Sequence, residues 1–219
     1  MQLSDVLAQR WSCRAFRSEP VPAETLRDVL TLAQRTASWC NTQPWHVHLL
    51  SGDATRELAA SLTAHVQENA PSSDLPTPQE YSGVYRQRRR DSGFALYESL
   101  GIERDDLAAR GAQMLRNFTF FGAPHAAIIT TDRAQGVYGA VDCGGYVANL
   151  LNAAHAYGVA TVAQAAIAMY SDHVREVLGI ADDRLVVCAV ALGHADEEHP
   201  VNGFRTTRAP LEESVTFVT

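Results

Sequence analysis

Residues 141–163 read VDCGGYVANLLNAAHAYGVATVA. From Val141 to Tyr157 the stretch carries a single acid, Asp142, and its apolar side chains occupy every side of a 3.6-residue period. That pattern predicts a helix buried all round, at the centre of the molecule. Gly144 and Gly145 lie near its opening, where missing side chains let another helix pack closely. A short strand, Val159 to Ala163, follows it.

Beyond this centre, Ser171 to Leu178 reads as a helix and Leu185 to Leu192 as the strongest strand, eight apolar residues without interruption. That run is far short of the ~20 residues a membrane-spanning helix needs. On the N-terminal side, Ala126 to Thr131 is a strand, preceded by a helix from Glu103 to Asn117 with Leu107, Gly111, Met114 and Leu115 on one side. Further upstream, the strand Trp45 to Leu50 separates two amphipathic helices. The first, Pro22 to Thr36, has proline in its opening turn and Leu26, Val29, Leu30 and Ala33 on one face. The second, Asp53 to Asn69, has Asp53 as its N-cap and Leu58, Leu62 and Val66 inward. Pro71 to Pro78, with three prolines and two serines, is an irregular excursion of the kind that shapes a site. The tail, Gly193 to Thr219, is mostly extended and ends in the β-rich Ser214 to Thr219, so it either adds an edge strand or reaches onto a partner subunit. Helices outnumber strands without simple alternation, which makes the fold class α+β.

Composition narrows function. With 18 basic and 25 acidic residues the formal net charge is −7, which argues against nucleic acid as a partner. Every basic side chain is arginine, and the absence of lysine excludes lysine Schiff bases and phosphate-loop NTPases. Cys13, Cys40, Cys143 and Cys188 are far apart, form no CxxC and follow no signal segment, so reduced thiols in the cytoplasm are expected, with no membrane contact. The 219 residues fit a single domain, 1–219.

No GxGxxG or GxSxG occurs. His46 and His48 share one face of a strand, as metal ligands do, but lack a third and fourth ligand at fitting spacing, and half-exposed strand histidines are the plainer reading. The run Arg86, Arg88, Arg89, Arg90 stands beside Tyr81, Tyr85, Phe94 and Tyr97 and reads as a solvated or interface face. Arg10 to Arg14 is different. In extended chain Arg10, Ser12 and Arg14 share a face, placing two guanidinium forks and a hydroxyl around one object, and a phosphate suits them. Ser38 to Trp45 places Asn41 and Gln43 at a strand entrance, ready to pair with the edge of a heterocycle. Arg205 and Arg208 supply two further guanidinium groups in the tail.

Taken together, RxSxR at Arg10–Arg14, SxxNxQPW at Ser38–Trp45 and RxxR at Arg205–Arg208 before Ala209 and Pro210 resemble the FMN-dependent nitroreductase family along essentially the whole chain. The nitrobenzoate reductase-like branch is resembled most, through YESLGI (97–102), NFTFFGAP (117–124) and PVNGFRTTRAPLEESVTF (200–217). The resemblance implies a central, mostly antiparallel sheet flanked by helices, and a homodimer that exchanges its C-terminal arm (194–219) and holds two FMN molecules between the subunits. It implies that Arg10, Ser12, Arg208 and Arg205 hold the FMN phosphate, with Trp11 in the same motif. Arg14 and Asn41 would meet the pyrimidine edge, Ser38 would lie beside the flavin, and Gln164, Ala165 and Ala166 would offer backbone N–H groups near N5. Trp11 departs from the family, standing where a second basic residue is frequent, and strand geometry directs it away from Arg10 and Ser12; Ala37 stands where proline is usual.

The activity implied is ping-pong reduction: NAD(P)H reduces the flavin, and a small aromatic acceptor, nitroaromatic or quinone, takes its place and is reduced by two electrons. No side chain need act as acid or nucleophile. Substrate choice would lie in the 71–110 excursion. The alternatives are a flavin enzyme devoted to one metabolite, by dehydrogenation or reductive dehalogenation, a flavin-binding protein without turnover, and a metalloenzyme built on His46 and His48.

Overall fold

The structure, a computed structural model, describes residues 2–219. In chain order it runs α1 (Leu3–Gln9), α2 (Ala23–Ala33), β1 (Trp45–Ser51), α3 (Asp53–Glu68), α4 (Gly83–Ser99), α5 (Leu107–Leu115), β2 (His125–Asp132), α6 (Gly136–Ala156), β3 (Ala160–Gln164), α7 (Ala165–Ala168), α8 (Ser171–Leu178) and β4 (Arg184–Gly193). The strands form one antiparallel sheet in the order β1-β2-β4-β3.

β4 is a continuous apolar run from Leu185 to Leu192 and β2 is buried from His125 to Thr131 because both sheet faces are covered. Along β2 the side chains alternate: Ala126 and Ile128 join Leu58 and Leu62 of α3 and Val174 of α8, while Ala127 and Ile129 join Val29 of α2 and Tyr146 and Leu150 of α6. Ile128 and Ile129 are fully buried, each contributing about 1.5–3 kcal/mol. α6 approaches β2 closely because Gly139 lacks a side chain; a Cβ there would lie 2.6 Å from Thr131 Oγ1.

Several expectations are corrected. α6 is not buried all round. Cys143, Tyr146 and Leu150 face the core, whereas Val137, Tyr138 and Val141 are 77%, 56% and 59% exposed. An apolar pattern reports exclusion from water without saying whether the cover is the chain's own core or another surface. The helix also begins at Gly136, so Gly144 and Gly145 lie in its middle. α3 is capped by Gly52 at φ 60°, not by Asp53, which is its first helical residue. α5 starts at Leu107 because Asp106 caps it, its carboxylate accepting from Ala109 N–H at 2.8 Å. Its apolar stripe faces inward only in part: Leu115 packs against the core, whereas Leu107 and Met114 are exposed and Gln113 is buried. The tail forms no strand and carries only short turns at Pro200–Asn202 and Leu211–Glu213. The outer edge of β3 is already occupied by the N-terminal segment, where Ser12 bridges Thr161 and Cys13 N–H donates to Thr161 O at 2.9 Å. α4, which carries Arg86 to Arg90, buries no residue.

One buried group makes the fold pH-sensitive. His125 Nε2 accepts from Val21 N–H at 3.0 Å, which leaves the ring proton on Nδ1, 2.7 Å from Ser51 Oγ. Burial, with the charge of His194 adding to it, lowers the His125 pKa from its ordinary 6.5. The unfolded chain then binds a proton that the folded chain resists, so stability is complete above about pH 6.5 and is lost as pH falls from there through the lower folded value. The melting temperature is expected to hold down to about pH 6.5 and then drop, less steeply in His125→Gln. Equal drops in both proteins would remove His125 as the cause.

Candidate functional site

At the end of α1 the chain leaves helical geometry at Arg10 (φ −62°, ψ 134°) and runs extended beside β3. The tail returns to the same place because Asn202, buried, reads the N-terminal segment: its Oδ1 accepts from Arg14 N–H at 2.9 Å and its Nδ2 donates to Ala15 O at 2.8 Å. Residues 204–208 are thereby laid against residues 10–14. A cavity of about 660 Å³ opens between them, lined by Arg10, Trp11, Ser12, Arg14, Arg205 and Arg208, and no carboxylate lines it. That volume is typical of small-molecule sites.

The electrostatics follow. Burial, then the charge of Arg208, pushes the Arg10 pKa below its ordinary value, and burial does the same to Arg14. All four guanidinium groups stay charged at neutral pH. The cavity is therefore a seat for an anion with several acceptor oxygens.

Trp11 does not point away from its neighbours as strand geometry implied. Position 10 ends a helix and only an isolated bridge follows, so regular alternation does not apply, and the indole lies in the same cavity beneath Arg205. Sequence reasoning missed other lining or supporting groups: Leu7, Ala8 and Gln9 at the end of α1, His155 in the last turn of α6, Asn202, Phe204 and Thr206. The stretch 200–217 that carries the resemblance contains the last three; His155 carried no signal.

The second motif lies elsewhere on the chain. Ser38 to Gln43 sits on the exposed side of α6, with Trp39 N–H donating to Asp142 at 3.1 Å and the Trp39 and Tyr138 rings edge-on at 4.2 Å. Ser38 Oγ accepts from Gln43 N–H at 2.9 Å, and Asn41 Oδ1 accepts from the Gln43 amide at 3.2 Å. Cys40, Asn41 and Gln43 have φ of 48°, 57° and 48°, a left-handed strain of order 1–3 kcal/mol each that surrounding contacts must hold. Gln164, at the end of β3, donates to Asn117 O at 2.8 Å and leaves its Oε1 buried without a partner; Ala165 and Ala166 follow at the start of α7. Neither group lines the guanidinium cavity.

The His46 and His48 rings are 4.7 Å apart, and among the described residues no three His, Cys, Asp or Glu side chains come together to hold a metal ion. The α4 arginines are engaged within the chain: Arg88 pairs with Glu213 at 2.7 Å, Arg89 covers Tyr81 and Arg90 covers Phe94. No helix of the described residues is long and apolar enough to cross a membrane.

Comparison with known proteins places this geometry. Nitroreductase NfnB of Mycolicibacterium smegmatis is 39% identical over 210 residues, covering 95% of this chain and 89% of its own. The 4-nitrobenzoate reductase of Nocardioides sp. is 35% identical over 97% of this chain and 88% of its own. The crystal structure of the FMN and NADPH-dependent nitroreductase NfnB from Sphigopyxis sp. strain HMH superposes with a TM-score of 0.96 at 33% identity, covering 100% of both chains. Residues 7–194 match the Nitroreductase family, and with relatives this similar over nearly the whole length, the chain belongs to that family.

Proposed function

We propose that this protein is an FMN-dependent oxidoreductase that takes electrons from NADPH or NADH and delivers them in pairs to nitroaromatic or quinone-type acceptors. The observation that carries the reading is the cavity in which Arg10, Arg14, Arg205 and Arg208 converge with no carboxylate. A phosphate monoester fits that donor set, since it presents two negative charges and several acceptor oxygens. When bound, FMN supplies the redox chemistry, accepting hydride and returning two electrons.

The residues of the chain bind and orient. Arg10, Ser12, Arg205 and Arg208 hold the phosphate, with Trp11 beside them. Because Ser12 bridges Thr161 in parallel, the direction from Arg10 to Arg14 runs with β3 towards Gln164, Ala165 and Ala166. Gln164, Ala165 and Ala166 would offer their backbone N–H groups to the ring system of a flavin whose phosphate Arg10 holds, and Arg14 would hold its pyrimidine end.

Ser38 and Asn41 belong to the same site through a second subunit. The proposed homodimer buries the face of α6 on which they sit, and that face exposes Val137, Tyr138, Val141 and Trp39. The tail, 194–219, would be the exchanged arm, covering Phe217, which is 75% exposed in the single chain. Residues 1–219 then act as one domain, with 71–110 shaping the acceptor pocket. The four free cysteines agree with a cytoplasmic protein.

Absorbance of the purified protein between about 300 and 550 nm, read anaerobically, tests the function. Flavin bands that bleach with NADPH or NADH and return on adding a nitroarene or quinone are expected. A protein that takes up no FMN, or whose flavin neither nucleotide bleaches, would overturn the reading.

A further inference from the structure

Four cations share the cavity, and something other than opposite charge must hold them in place. Carboxylates would fix the guanidinium groups but cancel the field that an anion needs. Among the described residues Arg10, Arg14, Arg205 and Arg208 form no salt bridge. Aromatic faces are present instead. Trp11 of the N-terminal segment lies under Arg205 of the tail, with the guanidinium carbon 4.3 Å from the ring centroid. Phe204 of the tail lies under Arg14 of the N-terminal segment, at 5.5 Å. Both are within cation–π reach, and an aromatic face attracts a cation without neutralising it.

We propose that Trp11 and Phe204 are positioning residues, forming a reciprocal clasp in which each segment's aromatic ring holds the other segment's arginine, so that Arg205 stands oriented for the FMN phosphate and Arg14 for the pyrimidine edge before FMN arrives. The inference rests on the FMN reading above and assigns Trp11 a role of its own, acting through Arg205. A fifth cation beside Arg10 would add to the repulsion that Arg208 already exerts there, whereas an indole stabilises the charges present. Asn202 sets the register of the clasp, since its bonds to Arg14 N–H and Ala15 O place residue 204 opposite residue 14 and residue 205 opposite residue 11. Arg205 Nη1 is anchored on Asn202 O at 2.6 Å and Phe204 O at 2.9 Å, so the ring has only to fix the plane of the guanidinium group.

The test compares FMN with riboflavin, which lacks the phosphate, by flavin fluorescence titration of the flavin-free full-length protein. Trp11→Ala is expected to weaken FMN roughly threefold to thirtyfold, the range of a cation–π contact, and to change riboflavin less than about twofold. Trp11→Phe should recover part of the loss. Because Trp11 acts through Arg205, adding Trp11→Ala to Arg205→Ala should weaken FMN no further than Arg205→Ala alone. Equal losses for both flavins, or additive losses in the double variant, would overturn the clasp. Inorganic phosphate, used as a competitor of an anionic dye, separates this from the FMN reading. Phosphate binding that Trp11→Ala weakens supports the clasp even in a protein that takes up no FMN, and phosphate binding unchanged by Trp11→Ala and Trp11→Phe overturns it.

Discussion

Asp74→Ala should lower the unfolding free energy by about 3–5 kcal/mol, a large fraction of the ~5–15 kcal/mol that stabilises an ordinary domain. Asp74 lies in the proline-rich excursion, yet its side chain is only 8% exposed and that of its partner Arg175 only 11%. Both carboxylate oxygens accept from Arg175 Nη2, at 2.7 and 2.6 Å, and Oδ2 also accepts from Val186 N–H at 2.8 Å. Val186 lies beside a slip in the β2–β4 register, where Ile129 faces Cys188 and Thr130 faces Val186, and beyond Ala189, where the pairing of β3 with β4 ends. The extra residue disrupts the ladder locally. Removing Asp74 takes away the buried carboxylate of Arg175, leaving that guanidinium only the exposed Asp172 carboxylate at 2.9 Å and Arg184 O at 3.2 Å, strands the Val186 N–H, and releases the 71–78 excursion from α8 and β4. Denaturant unfolding at fixed protein concentration measures the loss. Asp74→Ala with Arg175→Met should be more stable than Asp74→Ala alone, because a buried charge that has lost its buried partner is gone. A double variant as unstable as the single one would mean that the excursion is held by its backbone contacts and not by the ion pair.

How far the sequence could be read follows from how local each signal is. β4 was legible from its unbroken apolar run and β2 from its buried stretch Ala126 to Thr131, and α8 was found at its observed ends, because burial on two faces or one writes itself along neighbouring residues. The spacing of Arg10, Ser12 and Arg14 was legible for the same reason. Their meeting with Arg205 and Arg208 was implied only by the family resemblance, since it depends on Asn202 bonding a segment 188 positions away, which no local pattern encodes. The place of Trp11 was misread by applying strand alternation where only one bridge pair exists. Asp74 gave no sign at all: a carboxylate between serines and prolines reads as a solvated loop, and the partners that hold it, Arg175 and Val186, lie more than 100 residues downstream. The outward face of α6 is the opposite case, a pattern clear in the sequence that the core of the chain does not cover.

Arg10→Met should separate binding from stability with opposite signs. The methionine keeps an apolar stem of similar reach and removes only the charge. Arg10 is half-buried and its charge is opposed first by burial and then by Arg208, so in the FMN-free protein it is held at a cost. Deleting it relieves that repulsion, and the FMN-free variant should melt at a higher temperature than the parent, by about 2–4 °C for each kcal/mol relieved. FMN affinity should move the other way. One charge-assisted bond to the phosphate is worth roughly 1.5–3 kcal/mol, a loss of about tenfold to 150-fold. The stabilisation that saturating FMN confers should shrink by the same amount, because ligand stabilisation follows affinity. Added salt gives an independent check: it screens the repulsion among the guanidinium groups and should raise the melting temperature of the FMN-free parent more than that of the variant. Should the FMN-free variant melt lower than the parent while FMN binds unchanged, Arg10 would be a packing residue at the end of α1 and the phosphate seat would rest on the tail arginines alone. If both predicted signs appear, the arginine cluster is a strained arrangement that the chain maintains for its anion, which is the physical meaning of a binding site that is built before its ligand.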